Sequence, residues 1–458
     1  MKAFLLKKLT TIFRSIKEKD ILDIYRSLIK KQGDDISEIE KYQLDKINKL
    51  IKHAYKNTSY YRNEFNKNEF LLNNGFKINS LSELQYLPII SKKILNSNKA
   101  LLTSSDHKNR NSFENSTGGS TGKPVHVIQD KLYQDNNLAN QVLGRSWTNI
   151  EIFDFVVKLW GAERDLLIGR KPIKAKIVDI LLNQKAFNSF KMSEKDIYDF
   201  VNFLNKKKPK LIHGYVQSLH EVANFINKKN LHIEKQNALW LSAGTVTKSD
   251  RKLIESTFKC KSYSNYGTRE AGAIASQCSK SEGLHEFGHN VYLEIVDKNG
   301  NLCKPGESGE ILITLLHNYS MPLIRYNIED IGTLEPYEEC ICGINYRKLS
   351  EIKGRKSDIF INAKKENIDG AYFTHMMKDL EGFDKYQFIQ NDYEEIKVNI
   401  VKNELFKNEI YQEIEQIIYT VMGSNCKIIF NEVDEIEPTK TGKFLFTISK
   451  IKENEDNK

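Results

Sequence analysis

Residues 116–124 read Ser116-Thr117-Gly118-Gly119-Ser120-Thr121-Gly122-Lys123-Pro124, with three glycines, four hydroxyl side chains and one lysine in nine positions. Glycines let successive backbone N–H groups curl around an anion, and hydroxyls add further donors, so the stretch predicts a loop that cradles phosphate. A flexible surface loop is the plain alternative. It is not a Walker A loop, which sets four residues between its first Gly and a Gly-Lys-Ser/Thr. Here the spacing is one short and Pro124 follows the lysine.

Working outward, short apolar runs at 155–160, 211–213 and 238–241 alternate with amphipathic stretches at 196–204 and 219–226. Strand and helix signals in alternation are the mark of βαβ units. Upstream, residues 20–65 carry apolar positions at helical spacing, as in Ile47, Leu50, Ile51, Ala54 and Tyr55, and close on Tyr60, Tyr61 and Phe65. Between 292 and 334 the pattern changes to short strands at 292–296, 310–315 and 323–325 around a turn at Asn299 and Gly300, which suits antiparallel pairing. After Gly354, short strands and helices return at 358–361, 372–380, 395–401, 410–421 and 426–430. The expected architecture is α/β: a large multi-layer N-terminal domain over 1–354, with β-sheets flanked by helices, and a small α+β domain over 355–458. The tail 452–458 reads as disordered.

The 458 residues, 40% hydrophobic and 28% charged, suit a globular chain of two or three folding units and exclude a fibrous or disordered one. The net charge of +9 is scattered rather than massed in a tract, so it suits an anionic small substrate and argues against nucleic acid as a partner. Residues 1–15 set Leu5, Leu6, Leu9, Ile12 and Phe13 among Lys2, Lys7, Lys8 and Arg14. That is an amphipathic helix for the surface of its own domain or, at most, for peripheral membrane contact. No run approaches the roughly 20 apolar residues of a spanning helix, and the expected location is the cytoplasm.

Six cysteines in a chain of this size are no disulfide framework. Cys340 and Cys342 flank one residue in a Gly-containing loop, and Cys278 is followed at close range by His285. Thiolates and an imidazole in such loops could form a tetrahedral zinc site joining the two, or the cysteines could be buried as small hydrophobes. Cys260, Cys303 and Cys426 have no partners by spacing.

The 116–124 stretch resembles the phosphate-binding loop of the adenylate-forming superfamily of acyl-CoA synthetases and related ligases. Further segments resemble that superfamily in the same order. Asn265-Tyr266-Gly267-Thr268-Arg269-Glu270 is similar to the motif that stacks on adenine and holds magnesium. Arg325 to Gly332 is similar to the strand ending in the ribose-binding aspartate, here Asp330. Gly354-Arg355-Lys356-Ser357-Asp358 resembles the hinge, and Pro438-Thr439-Lys440-Thr441-Gly442-Lys443 the loop with the catalytic lysine. Within the superfamily, the phenylacetate–CoA ligase and CapK branch, the latter known from capsule and O-antigen biosynthesis, is the nearest match. It shows in His53-Ala54 to Tyr60-Tyr61-Arg62, Leu87-Pro88 to Lys92-Lys93, Lys210-Leu211-Ile212-His213-Gly214-Tyr215 and Cys340-Ile341-Cys342-Gly343. The likeness runs from about residue 40 to 450.

The resemblance implies carboxylate activation as an acyl-adenylate, with AMP and pyrophosphate released, then acyl transfer to CoA, an amine or a sugar. A nucleotide-binding protein without turnover is the reading of another class. ATP and Mg²⁺ are the implied cofactors, with CoA and a structural zinc as further candidates. Ser116, Thr117, Gly118, Gly119, Ser120, Thr121, Gly122 and Lys123 would hold phosphate. Ala243, Gly244, Thr245, Asn265, Tyr266, Gly267 and Thr268 would hold the rest of the nucleotide, with Asp330 accepting from the ribose hydroxyls and Arg355 donating beside it. Glu270 would ligate magnesium, and Lys443 would place an ammonium on the charge developing between acyl oxygen and α-phosphate, with Lys440 as its competitor. His213, Gly214, Tyr215, Ala271 and Gly272 would line the carboxylate pocket. Two positions depart from the pattern: Arg269 replaces the usual Thr or Ser before the glutamate, so a guanidinium stands where a hydroxyl would contact phosphate or substrate, and Ser357 replaces the usual hinge Asp or Lys.

Overall fold

The computed structural model describes residues 19–116, 125–160, 183–189, 192–242, 244, 246, 248–355, 359–365, 367–377, 380–437 and 445–451. The amphipathic segment 1–15 and the tail 452–458 lie outside them. The chain divides into two compact units, Met1–Ile328 with Gly332–Ile352, and Glu329–Ile331 with Lys353–Lys458. Among the described residues no helix is long and apolar enough to cross a membrane.

The N-terminal region is helical because its apolar residues return every three or four positions. Helix Ile36–Asn57 buries Ile39, Gln43, Ile47, Leu50, Ile51 and Ala54 on one stripe. It ends at Thr58, whose hydroxyl caps the next helix, Ser59–Phe65, by accepting from Tyr61 N. Burying a Leu or Ile of this kind contributes about 1.5–3 kcal/mol.

The first thirteen strands, which lie in the first unit except for Glu329–Ile331 of β12 and Lys353–Arg355 of β13, run β1 (Phe113–Ser116), β2 (His126–Gln129), β3 (Val156–Trp160), β4 (Gln184–Asn188), β5 (Leu211–Tyr215), β6 (Leu239–Ser242), β7 (Ser262–Thr268), β8 (Gly272–Gln277), β9 (Leu284–Glu286), β10 (Val291–Val296), β11 (Ser308–Leu315), β12 (Tyr326–Leu334) and β13 (Lys348–Arg355). Among the described residues β1 pairs only with β2. The other eleven make one sheet in the order β10-β11-β12-β13-β9-β8-β7-β6-β5-β3-β4. β4, β3, β5, β6 and β7 are parallel. Helices Glu194–Lys207, Val216–Lys228 and Lys248–Phe258 connect the last four strands in chain order, as the alternating pattern predicts. Phe200, Leu204, Leu219, Val222, Ile254 and Phe258 from these helices pack on Ile212, Leu239 and Leu241 of β5 and β6. Ser193 and Asp196 close a capping box at the start of the first of them. β7 is parallel to β6 but antiparallel to β8, so the sheet changes character at β7.

One expected strand is not there. Residues 323–325 are buried but irregular, and the strand begins at Tyr326. Arg325 has a φ of +51°, outside extended backbone, and turns its guanidinium inward onto Glu294 at 3.0 Å and onto the carbonyls of Gln85 and Leu87 at 2.9 and 2.8 Å. Tyr61 OH donates to Pro322 O and accepts from Ile324 N, both at 3.1 Å, so side chains satisfy a backbone that the ladder does not.

The second unit holds the hairpin β14 (Ile359–Ile361) and β15 (Asn367–Asp369), then β16 (Phe383–Asp392), β17 (Glu395–Lys402), β18 (Lys427–Glu432) and β19 (Thr447–Ser449). The last four form a mixed sheet in the order β18-β17-β16-β19. Helix Glu409–Met422 buries Ile410, Ile414, Ile417, Ile418 and Met422, one apolar stripe at helical period, in a core with Phe360, Phe373, Phe388, Val398 and Ile400.

Candidate functional site

The turn from β7 to β8 carries the most chemistry. The pairing slips between Tyr266 and Gly267, and a Cβ on Gly267 would sit 2.3 Å from the Gly272 carbonyl, so only glycine fits. Gly272 has a φ of +71°, and a Cβ there would lie 2.4 Å from Asn137 Oδ1. That same oxygen accepts from Ala273 N at 2.8 Å. Gln129 Nε2 donates to the carbonyls of Arg269 and Glu270 at 2.9 and 3.1 Å, and Thr268 Oγ1 accepts from Ala271 N at 3.1 Å. Gln129 and Asn137 escape a sequence reading because they lie more than a hundred residues upstream. Their only local signal is Asp130, which caps the helix Lys131–Ser146 between them.

These bonds hold Glu270 in a buried position, 5% exposed. Among the described residues, the hydrogen bond to its carboxylate is one neutral donor, Tyr326 OH at 3.3 Å. Burial, followed by the charge of Glu270, raises the Tyr133 hydroxyl far above its ordinary range, so that phenol stays protonated. A carboxylate so buried with a single neutral donor suits a cation ligand, and magnesium fits it.

At the carboxyl ends of β5, β6 and β7, Ser242 Oγ meets His213 Nε2 at 2.9 Å and Asn265 Nδ2 at 3.2 Å. The His213 ring sits 5.0 Å from both Trp160 and Trp240, and Trp160 lies 4.3 Å from Tyr215. Burial, then the charges of Arg145 and Lys158, hold His213 well below the usual histidine range, so its imidazole is neutral. His213 Nδ1, Asn265 Oδ1 and Trp240 Nε1 are buried with no hydrogen-bond partner among the described residues. Such atoms fit a polar ligand, as a nucleotide and a carboxylate require.

The other expected site residues fall as follows. Ser116 is buried at the end of β1, and its N–H donates to Asn115 Oδ1. Tyr266 is half-buried against the main core, Ala271 is wholly inside it, and Gly244 is exposed. Gly214 packs on Leu219. Asp330 is half-buried within β12, which runs on to Leu334 rather than ending at the aspartate, and Arg355 closes β13. Thr117 to Pro124, Ala243, Thr245, Lys356 to Asp358, and both Lys440 and Lys443 lie outside the described residues.

Away from this turn, Cys278, His285, Cys340 and Cys342 converge, with their four ligand atoms within 4.8 Å of one another. All six cysteines are free thiols.

Residues 360–450 match the model of the CapK C-terminal domain. Protein CapK of Staphylococcus aureus is 25% identical over 438 residues, covering 92% of this chain and 91% of that protein. A phenylacetate-coenzyme A ligase of Aromatoleum evansii is 23% identical over 337 residues, 71% of this chain and 72% of that protein. Among solved structures, 2-hydroxyisobutyryl-CoA ligase in its postadenylation state with R3-HIB-AMP superposes with a TM-score of 0.69 at 17% identity, over 92% of this chain and 91% of that one. The same enzyme with 2-HIB-AMP and CoA, in its thioesterification state, gives 0.58 at 17% identity over 93% of each chain. Residues 360–450 thus match a CapK C-terminal domain, and over most of its length the chain is similar to CapK and to phenylacetate-coenzyme A ligases and shares the fold of acyl-adenylate-forming CoA ligases.

Proposed function

We propose that the chain activates a small carboxylate with ATP, releases pyrophosphate, holds the acyl group as its adenylate and passes it to coenzyme A. The observation that carries this reading is the set of buried polar atoms with hydrogen-bonding capacity left over on β5, β6 and β7, among the described residues: His213 Nδ1 and Asn265 Oδ1, whose side chains meet at Ser242 on the carboxyl end of β6, and Trp240 Nε1. In open α/β sheets ligands bind outside the carboxyl ends of parallel strands, where the topology switches. Here the switch is β7, and the strand leads straight into Glu270.

In this reading Asn265 and Tyr266 take the adenine, Asp330 and Arg355 the ribose, and Thr117 to Lys123 the phosphates. Glu270 holds magnesium, which screens the triphosphate so that a carboxylate can approach the α-phosphorus. The neutral His213 imidazole, fixed by Ser242, orients the incoming carboxylate beside Trp160 and Tyr215. Lys443 meets the charge developing on the α-phosphate. The complex of 2-hydroxyisobutyryl-CoA ligase with CoA supports a thioester product. The likeness to CapK supports a role in surface polysaccharide biosynthesis, fed from the cytoplasm, for which a sugar amine would be the other acceptor.

Pyrophosphate exchange across a panel of carboxylates tests the first half: the correct acid gives exchange, and hydroxylamine traps a hydroxamate. ADP as product would overturn the mechanism, because γ-phosphoryl transfer uses the triphosphate differently. Adding CoA should then release AMP and a thioester; turnover with a sugar amine and none with CoA would reassign the acceptor.

A further inference from the structure

We propose that Cys278, His285, Cys340 and Cys342 bind one structural zinc ion. The argument starts from the loop that carries two of them. Residues 335–347 contain no helix or strand, yet Cys340, Cys342, Ile344 and Tyr346 are at least half-buried in it, against Trp147 and Phe287. At its centre Cys340-Ile341-Cys342-Gly343 forms a tight turn in which Gly343 N donates to the Cys340 carbonyl at 2.9 Å. Gly343 has a φ of +77°, which leaves glycine as the residue that closes the turn without strain, and Ile341 between the thiols is 86% exposed. The turn therefore turns both sulfurs inward and its apolar side chain outward, the reverse of what burial of hydrophobes would select.

The facing pair comes from the β8–β9 hairpin. Cys278 directly follows β8, and His285 is the middle residue of β9, and both are buried. His285 Nδ1 lies 3.3 Å from the Tyr346 carbonyl, an acceptor only, so Nδ1 carries the proton and Nε2 is left with its lone pair. Nε2 points at Cys342 Sγ, 3.5 Å away. An imidazole fixed through one nitrogen by a carbonyl, with the other aimed into a thiol cluster, is the usual orientation of a metal-bound histidine. Zn–S bonds of about 2.3 Å and Zn–N bonds of about 2.0–2.1 Å put tetrahedral ligand atoms roughly 3.5–3.8 Å apart. The spread here is at most 4.8 Å, so closing on an ion asks for about an ångström of movement. Three soft sulfurs and one imidazole, all at least half-buried and with no carboxylate among them, select zinc over magnesium or calcium. The set is complete with four protein ligands, which leaves no open position for a substrate and makes the role structural.

Zinc would supply what the ladder lacks. β9 and β13 pair through two residues only, Lys348 with His285 and Leu349 with Leu284. An ion held by thiolates at both ends, formed as the thiols release their protons, would lock the irregular loop onto the β8–β9 hairpin, whose first strand also follows the Glu270 turn.

Full-length protein, purified without chelator, should contain about one zinc per chain by elemental analysis. Cys340→Ser with Cys342→Ser should lose it, while Cys260→Ser and Cys303→Ser should keep it. Should the double variant fail to fold, cobalt exchange into the wild-type chain decides the matter. Thiolate-to-cobalt charge-transfer bands together with the d–d bands of tetrahedral cobalt are the expected result. A folded, metal-free protein that gives no such spectrum, iron in place of zinc, or a disulfide among these cysteines in the purified chain would each overturn the proposal.

Discussion

On the antiparallel side of the sheet, two arginines meet their buried glutamates in full. Arg325, 1% exposed, gives its Nε to both oxygens of Glu294 and its terminal nitrogens to the carbonyls of Gln85, Leu87 and Gly300. Arg347 grips Glu286 through two nitrogens, at 2.8 and 2.9 Å. On the parallel side, three buried polar atoms of His213, Trp240 and Asn265 have no partner among the described residues. On the antiparallel side these two arginine–glutamate pairs are satisfied internally, with Ser276 Oγ of β8 left over, whereas on the parallel side the leftover atoms cluster around His213 and keep capacity for a ligand. The difference separates scaffold from site more sharply than burial does, since both sets are equally hidden from water.

The largest effect should come from breaking the scaffold. Arg325→Met leaves the Glu294 carboxylate buried and alone, and should cost about 3–5 kcal/mol in urea unfolding. Glu294→Leu added to it should recover much of that loss but not all, because the carbonyls of Gln85 and Leu87 still lack their donors. A double variant no more stable than the single one would show that the pair is not what holds this corner.

Lys443→Ala tests the chemistry instead. It should slow adenylation about 100-fold, or about 2.7 kcal/mol of barrier, while ATP affinity changes little, because the contact is made mainly in the transition state. Full activity in Lys443→Ala beside a dead Lys440→Ala would transfer the role to Lys440.

His213→Phe sharpens the comparison from the other side. It removes a buried ring nitrogen without a partner and one hydrogen bond to Ser242, so stability should stay within about 1 kcal/mol. Pyrophosphate exchange should nevertheless fall at least about tenfold if the imidazole orients the carboxylate. A variant that loses stability and activity together would move His213 into the scaffold.

A last test reads the pH dependence of stability. His289 and His317 are buried around Tyr42 and Tyr346. Both are held down at about 4, mainly by burial, with the charges of Lys31 and Lys46 adding to it for His289 and that of Lys46 for His317. The unfolded chain takes up these protons near pH 6.5 and the folded chain only near 4, so stability should fall as pH drops through that window. Replacing both residues by Gln should flatten the melting temperature between those limits, and an unchanged slope would assign the acid sensitivity elsewhere.

The parts of the molecule legible in the sequence are those with a local period or a short spacing. Runs such as 211–212 and 238–241 announce buried parallel strands because every position is apolar, and the stripe in Glu409–Met422 announces its helix. The order of the motifs discloses the family for the same reason. What stayed hidden depends on contacts distant along the chain. Nothing near Arg325 signals that Glu294, or the carbonyls at 85 and 87, will draw its guanidinium inward and delay the strand to Tyr326. Nor does anything near Glu270 point to Gln129 and Asn137 as the residues that shape its turn. Tyr326, which donates to the Glu270 carboxylate, lies 56 residues away on a strand that the motif reading treats as leading only to Asp330.

The slip in pairing at Tyr266 and Gly267 bears on how this gene can change. Residues 265 and 266 pair with 276 and 275, whereas 267 and 268 pair with 273 and 272, so Ile274 is the surplus residue on its strand. Side chains alternate faces along a strand, so inserting or deleting one codon between 267 and 274 would swap the two faces from that point on. It would turn core residues such as Ala271 and Ile274 outward and carry Glu270 away from Tyr326. Length variation should therefore be purged from this hairpin, yet tolerated at surface turns such as Asn299 and Gly300, where a duplicated residue only lengthens a loop.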